Sequence, residues 1–187
     1  MQNARYNSHV LFLVQSALLA AIICILSPLA IPIGPIPITL GVFAVMLTGV
    51  VLEWKRASVA VLVYILLGVI GLPVFSGGNS GPGVIAGPTG GYLWAYLPMA
   101  AIIAALGGRA REREIDEDWR AFAACLLSMI VLYGLGTFQF TLVADSSWSH
   151  ALSVCVYPFL PFDTGKAVCA TLLGVRIRRR LRTANLL

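Results

Sequence analysis

Two ionisable residues in an apolar part of the sequence, Asp163 and Lys166, are the strongest candidates for chemistry. They follow Pro161 in a segment that reads as a helix, where residues at i and i+3 lie one turn apart on the same face. Charged side chains in a membrane-spanning helix are costly and usually mark a ligand or ion path. Because a helix N-terminus also favours anions, we expect Lys166 to attract a carboxylate and Asp163 to accept hydrogen bonds from a ligand N–H.

A structural role for the same pair is also compatible with the sequence. Asp163 could cap the helix, and Lys166 could extend to the membrane interface and neutralise Asp163 without any ligand. Three polar side chains predicted on the same side favour a cavity over an isolated cap: Asn79, Tyr92 and Gln139. An apolar cavity with a few placed polar groups is typical of a small-molecule site.

The segment 71–92 is rich in glycine and proline, carries no charge and separates two apolar runs. Irregular backbone near bilayer depth is tolerated only where protein buries it or where it lines a cavity. Asn79 offers both a donor and an acceptor, and Phe75 and Tyr92 offer flat apolar faces. The segment therefore predicts a wall of the cavity, although its composition fits a loose surface loop equally well.

The composition places the chain in a membrane. Of the 187 residues, 59% are hydrophobic and 11% are charged, whereas a soluble domain has about 25% charged residues. We predict an all-α integral membrane protein with one domain over residues 1–187. Six apolar runs are candidate transmembrane helices, at about 10–27, 38–53, 57–71, 89–106, 119–143 and 163–176. The sequence leaves open whether 151–160 is helical.

The segment between the first two spans contains Pro28, Pro32, Pro35 and Pro37. Proline prevents a helix and favours an extended, stiff backbone, so we expect a lid-like loop from about 28 to 37.

Two small residues in the first span, Ala17 and Ala21, lie four residues apart on one helical face. This small-xxx-small spacing lets another helix approach closely. That helix could belong to a partner protein or to the same chain.

The positive charges predict the topology. Six spans place both termini on one side, and twelve of the thirteen Lys and Arg residues fall on that side, which the positive-inside rule makes cytoplasmic: Arg5, Lys55, Arg56, Arg109, Arg111, Arg113, Arg120, Arg176, Arg178, Arg179, Arg180 and Arg182. The exception is Lys166, which lies on the outer side with Asp163, Asp145 and the 71–92 segment.

Catalytic, metal and nucleotide motifs are missing from the sequence. His9 and His150 are far apart, and no G-x-S-x-G, H-E-x-x-H or G-x-x-x-x-G-K-[ST] pattern occurs. The four cysteines have no metal-ligand spacing. We therefore expect no enzyme activity, no metal and no cofactor, and no ability to drive uphill transport without a partner.

Four segments together resemble one family: Ile36-Pro37-Ile38-Thr39-Leu40, Gly71-Leu72-Pro73-Val74-Phe75-Ser76-Gly77-Gly78, Gly87-Pro88-Thr89-Gly90-Gly91-Tyr92-Leu93 and Asp163-Thr164-Gly165-Lys166. The chain is similar over about residues 10–176 to the BioY family, the biotin-specific S components of energy-coupling factor (ECF) transporters, which are ABC transporters. It departs from the family pattern at Gly41, where many relatives have Gln, and at Ala95, where many have Gly.

The resemblance implies a six-helix protein of the bacterial plasma membrane that binds biotin in an outward-facing cavity. It implies a transmembrane coupling protein and two cytoplasmic ATPases as partners, with Ala17 and Ala21 as the face that meets the coupling protein. The implied substrate contacts are Asn79, Tyr92, Asp163, Lys166, Phe75 and Thr39, with Trp94 as an alternative apolar wall. Charge favours Lys166 for the carboxylate of biotin, with Asn79 or Asp163 at the ureido group, but the sequence does not assign the two ends.

Three other functions compete with biotin capture. The first is an S component for another small anionic vitamin, such as pantothenate. The second is a membrane scaffold that only packs against a partner through Ala17 and Ala21. The third, a membrane-embedded hydrolase or transferase, would need a catalytic dyad that the sequence does not contain.

Overall fold

Helices make up most of this chain in a computed structural model that describes residues 2–32, 36–107, 114–184 and 186, with the backbone alone for 2–8 and 114–116. The described helices are α1 (Gln2–Leu26), α2 (Gly41–Val51), α3 (Trp54–Val69), α4 (Pro82–Ala86), α5 (Gly90–Gly107), α6 (Glu114–Val143), α7 (Trp148–Cys155) and α8 (Leu160–Thr183). Two short strands, β1 (Ala30–Ile31) and β2 (Ile38–Thr39), lie between α1 and α2.

Each of the six predicted spans overlaps one of the longer helices: α1, α2, α3, α5, α6 and α8. Within the described residues, three stretches are long and apolar enough to cross a membrane, namely His9–Leu26, Gly90–Gly107 and Glu117–Val143. The helix α2 has 11 residues and α3 has 16, fewer than the roughly 20 of a full crossing. The predominantly helical class is confirmed, and the count of six crossings stays a prediction.

The longer helices pack side by side around one apolar core. The helix α5 lies along α6, α2 packs against α5 and α8, and α3 packs against α1 and α5. Two glycines allow α5 and α6 to approach closely, because a Cβ at Gly91 would overlap the backbone carbonyl of Leu135 and a Cβ at Gly136 would overlap the ring of Tyr92. This close approach holds Tyr92 against α6.

The proline-rich segment after α1 is extended where it is described, as its sequence predicts. The strands β1 and β2 pair antiparallel, with Ala30 opposite Thr39 and Ile31 opposite Ile38. Residues 33–35 of the predicted lid lie outside the described residues. The hairpin carries the chain from the end of α1 to the start of α2 and places Thr39 beside both.

The segment between α3 and α5 is tied to the rest of the molecule by hydrogen bonds. The backbone N–H of Gly77 donates to the carbonyl of Pro28 at 3.2 Å, and that of Gly81 donates to the carbonyl of Gly68 at 2.7 Å. The side chain of Gln139 donates from Nε2 to two backbone carbonyls, those of residues 85 and 87, at 2.8 Å each. The segment is therefore held in place rather than being a loose surface loop.

The segment 151–160, left open by the sequence, is partly helical. The helix α7 covers its first half and ends at Cys155, and α8 begins at Leu160. Ser147 caps α7 by accepting a hydrogen bond from the backbone N–H of His150 at 3.4 Å.

Basic side chains lie at the end of the helices where α5 ends and α6 begins. Arg178 is 3% exposed and donates to the carbonyl of Gly107 at 2.9 Å. The carboxylate of Glu117 accepts from Arg179 at 3.1 Å and from Arg182 at 2.8 Å. These contacts join the end of α8 to α5 and α6. Four residues of the predicted basic face lie outside the description, Arg109, Arg111 and Arg113 entirely and Arg5 in its side chain.

Candidate ligand-binding site

A cavity opens at the other end of the helices, between the end of α1 and the beginnings of α2, α5 and α8. Much of its wall is apolar, with contributions from Ile36, Val42, Leu93, Leu132 and Phe159. Polar side chains interrupt that wall, and two groups of them lie close together. An apolar cavity with a few polar groups is the expected form of a site for a small organic molecule.

The first polar group is the ion pair of Asp163 and Lys166. The side chain of Asp163 is 2% exposed, and that of Lys166 is 11% exposed. The ammonium of Lys166 donates to Oδ1 of Asp163 at 2.7 Å, and the hydroxyl of Tyr133 donates to Oδ2 at 2.8 Å. The carboxylate therefore has a donor on each oxygen.

The helix cap predicted as the alternative role of this pair is not what the structure contains. The residue before α8 is Phe159, which makes no side-chain cap hydrogen bond, and Asp163 lies inside the first turn with its backbone N–H donating to the carbonyl of Phe159 at 2.8 Å. Lys166 does not extend into solvent, because it is largely buried against Asp163. Both charged residues line the cavity instead.

The second polar group consists of Ser27, Thr39 and Tyr96, here called the hydroxyl cluster, and all three residues line the cavity. The hydroxyls of Ser27 and Tyr64 lie 2.7 Å apart, and both residues are almost fully buried. The hydroxyl of Thr39 accepts a hydrogen bond from the backbone N–H of Gly41 at 2.9 Å. The ring of Tyr64 lies behind the cluster, 6.4 Å from that of Tyr96.

Five of the six predicted substrate contacts line this cavity: Thr39, Phe75, Tyr92, Asp163 and Lys166. Phe75 is 1% exposed and meets Tyr64 edge to face, with ring centroids 5.7 Å apart. The hydroxyl of Tyr92 donates to the backbone carbonyl of Cys155 at 3.2 Å, which joins α5 to the end of α7. Their contact with a ligand stays a prediction.

Asn79 is the predicted contact that lies outside the residues lining the cavity. Its side chain is exposed and donates to the carbonyl of Ser76 at 2.7 Å, while its backbone carbonyl accepts from the N–H of Phe75 at 3.0 Å. In this conformation Asn79 holds the turn that positions Phe75. Trp94, the alternative wall residue, is 51% exposed and also lies outside the cavity lining.

Sequence reasoning did not select Ser27, Tyr96 or Tyr133, which all line the cavity. One signal was present for Tyr96, because it follows Tyr92 by four residues and so shares its helical face. A second signal was present for Tyr133, since a phenol in an apolar helix needs a hydrogen-bond partner when it is buried. No local pattern marks Ser27, whose role depends on Tyr64 from another helix.

Ala17 and Ala21 are both exposed on α1. Neighbouring apolar side chains on the helix are exposed as well, among them Leu13 at 63% and Leu18 at 59%. The two alanines therefore do not pack inside the described part of this chain, and their face is open to lipid or to a partner.

The apolar helices and the cavity together are typical of a membrane protein with a site suited to a small molecule. The chain belongs to the BioY family, whose model matches residues 1–183. The biotin transporter BioY2 of Lactococcus lactis subsp. cremoris is 39% identical over 185 residues, covering 99% of this chain and 97% of the relative. The biotin transporter BioY of Thermotoga maritima is 35% identical over 167 residues, covering 89% and 95%.

A solved structure shares the fold. The S-component for biotin from an ECF-type ABC transporter superposes with a TM-score of 0.82 at 28% identity, covering 92% of this chain and 93% of that one. The predicted family is confirmed. The family and these neighbours are transporter components rather than enzymes.

Proposed function

We infer that this chain takes up biotin as the substrate-specific component of an ECF-type transporter. The BioY family match and the relatives named as biotin transporters support this function over the whole length of the chain. The structural observation that best supports this function is the buried ion pair of Asp163 and Lys166 inside the cavity. Buried charge in an apolar cavity is expensive, and ligand recognition would explain why it is kept.

The ion pair suits the ureido group of biotin. Its two charges cancel, so a carboxylate drawn to Lys166 would also meet the carboxylate of Asp163, whose Oδ1 lies 2.7 Å from the lysine nitrogen. Lys166 has three N–H donors and Asp163 retains acceptor lone pairs, which match the C=O and N–H groups of a neutral urea. We therefore assign the ureido group to this pair, in place of the carboxylate that charge alone favoured for Lys166.

Six membrane crossings, an outward-facing cavity and cytoplasmic termini complete the proposal. The described basic residues Arg56, Arg178, Arg179 and Arg182 lie away from the cavity, whereas Lys166 lies in it. By the positive-inside rule, we expect the cavity on the outer side. The short helices α2 and α3 are compatible with crossing where neighbouring helices cover their ends.

A transmembrane coupling protein and two cytoplasmic ATPases are the proposed partners. The chain has no nucleotide-binding motif, so energy for uptake must come from another protein. The exposed Ala17 and Ala21 suit close packing against a helix of the coupling protein. We expect Ala17→Leu and Ala21→Leu to reduce co-purification with that protein, while Ala123→Leu, at an exposed alanine of α6, leaves it unchanged.

Growth on scarce biotin tests the function. A bacterial strain that neither makes nor imports biotin would express the chain together with an ECF module. We expect growth with the parent chain and with Lys55→Met, which changes an exposed lysine, and we expect none with Lys166→Met at equal membrane abundance. Failure of the parent chain to restore growth, or uptake of pantothenate instead of biotin, would contradict the proposal.

A further inference from the structure

A groove runs between α6 and α8 on a part of the surface that is separate from the ligand cavity. Its lining consists of Asp118, Trp119, Phe122, Val168, Thr171 and Leu172. Trp119 is 70% exposed, and its ring lies 5.9 Å from that of Phe122. Val168 and Leu172 are exposed as well. The groove is therefore open on its outer side, and most of its lining is apolar.

The groove starts near the basic end of the two helices and extends toward the middle of α8. The helices are antiparallel, because Glu117 contacts Arg179 near the basic end and Tyr133 contacts Asp163 near the other. At 1.5 Å per residue, the eight residues from Arg176 back to Val168 span about 12 Å of the helix axis. An exposed tryptophan near a helix end is typical of the boundary between lipid headgroups and acyl chains. The groove thus leads from headgroup depth into the hydrocarbon region.

Arginine side chains follow the groove at its basic end. Arg176 and Arg179 lie four and seven residues after Leu172, and both spacings keep them on the same side of α8. Arg179 is 3.1 Å from the carboxylate of Glu117 and 3.9 Å from that of Asp118. Arg176 is exposed and forms no ion pair with a carboxylate in the described part of the chain. Its charge is available to an anion.

An apolar groove with a cation at headgroup depth matches the two parts of an anionic phospholipid. Basic pockets between helices on the cytoplasmic side of a membrane bind the headgroups of such lipids. Asp118 is the opposing charge in the lining, and the nearby Arg179 offsets it. A second copy of this chain fits less well, because it would bring its own arginines to the same place. The face proposed for the coupling protein lies on α1, which packs against α2 and α3.

We propose that this groove binds an anionic phospholipid of the cytoplasmic leaflet. An acyl chain lies along Phe122, Val168 and Leu172, and the phosphate contacts Arg176. The inference goes beyond biotin uptake, and only the choice of leaflet rests on the proposed orientation. Because the lipid contacts both α6 and α8, it adds to the contacts that join their basic ends.

Native mass spectrometry of the purified full chain, released from detergent, tests the headgroup. The probes are dioleoylphosphatidylglycerol and dioleoylphosphatidylcholine, which share their acyl chains and differ in net charge. We expect the parent chain to bind the anionic lipid about fivefold more tightly, the contribution typical of one arginine near a headgroup. Arg176→Gln should abolish this preference.

Arg120→Gln is the matched control for charge. Arg120 is an exposed arginine of α6 two residues from Asp118, so it lies on another side of that helix. We expect this variant to keep the preference for the anionic lipid.

Val168→Phe tests the acyl-chain part of the site by filling the groove. We expect it to weaken both lipids by about fourfold, the effect of leaving one methylene group exposed to water. Val14→Phe, at an exposed valine of α1, should leave both affinities unchanged. Thermal unfolding without added lipid checks that each variant is folded.

Three results would overturn the lipid site. The first is equal affinity of the parent chain for the two lipids. The second is an equal loss of preference in Arg176→Gln and Arg120→Gln, which would indicate diffuse attraction to the basic end. The third is unchanged lipid affinity in Val168→Phe, and a lipid-free dimer that this variant dissociates would assign the groove to a second copy. Biotin affinity of the same parent chain, measured separately, would still test the proposed function.

Discussion

Removing one partner of the buried ion pair should destabilise the protein more than removing both. In Lys166→Met the ammonium is lost and most of the side-chain length is kept. Asp163, which is 2% exposed in the structure, would then stay buried with Tyr133 as its hydrogen-bond donor. Breaking a buried pair in this way costs about 3–5 kcal/mol, because an uncompensated charge is left behind. Since Lys166 keeps 11% exposure, we expect a value near the lower end of that range.

The converse substitution, Asp163→Asn, leaves the ammonium of Lys166 beside a neutral amide. Its oxygen can still accept from Tyr133 or from Lys166, so we expect a loss of about 2–3 kcal/mol, the cost typical of weakening a charged hydrogen bond. The double variant has no buried charge at this place. The amide at position 163 lies beside the phenol of Tyr133. We expect it to lose only about 1 kcal/mol, because replacing a whole buried pair is often close to neutral.

The assay is ligand-free unfolding in mixed micelles, from which a double-mutant cycle gives the coupling between the two residues. With the values above, the double variant should lose about 4 kcal/mol less than the sum of the two single losses, and this difference is the coupling energy. The matched control is the cycle of Asp145→Asn and Lys55→Met, two exposed residues, for which we expect additive changes near zero. If the losses at Asp163 and Lys166 simply add, the two side chains do not act as a buried pair and the reasoning is refuted.

Three further substitutions test how the structure supports the cavity. Gly68→Ala would place a Cβ within the ring of Phe75. We expect overpacking to lower the unfolding free energy by about 1–3 kcal/mol and to weaken biotin binding. Unchanged stability and affinity would contradict the close packing of Gly68 and Phe75. Gln139→Leu removes the donor of two carbonyl hydrogen bonds at 2.8 Å, so hydrogen exchange should quicken across 82–89, and unchanged protection there would count against it. Glu117→Gln weakens the contacts with Arg179 and Arg182. The unfolding free energy should fall by about 1–2 kcal/mol, and the affinity for biotin should stay the same. A large loss of affinity would be inconsistent with a purely structural role of Glu117.

Apolar runs and prolines in the sequence predict most of the helices. The observed ends of some helices differ from the predicted ends because of interactions of a few neighbouring residues. The sequence predicts the sixth span from 163, but α8 begins at Leu160, because Pro161 falls in the first turn where a missing N–H is tolerated. That shift puts Asp163 inside the helix instead of at its cap. The sequence predicts the second span from 38, but Ile38 and Thr39 pair with β1, so α2 begins at Gly41.

Part of the candidate site could be predicted, because some of its residues are close together in the sequence. The rest could not, because its contacts join residues that are far apart in the sequence. The pair Asp163 and Lys166 is visible as an i, i+3 spacing in an apolar segment. The contact of Tyr133 with Asp163 joins two helices, and that of Ser27 with Tyr64 joins α1 to α3. Such contacts depend on packing. The side chain of Asn79 predicts a ligand contact, yet its described hydrogen bonds stabilise a turn.

Equilibrium binding of biotin to the purified, detergent-solubilised chain tests the central claim most directly. Capture of a scarce vitamin predicts a nanomolar dissociation constant, about −12 kcal/mol. We expect Lys166→Ala and Asp163→Asn each to weaken binding by more than tenfold, about 1.4 kcal/mol. A folded parent chain that binds no biotin would contradict the function, and tight binding unaffected by either substitution would contradict the place of Asp163 and Lys166 in the site.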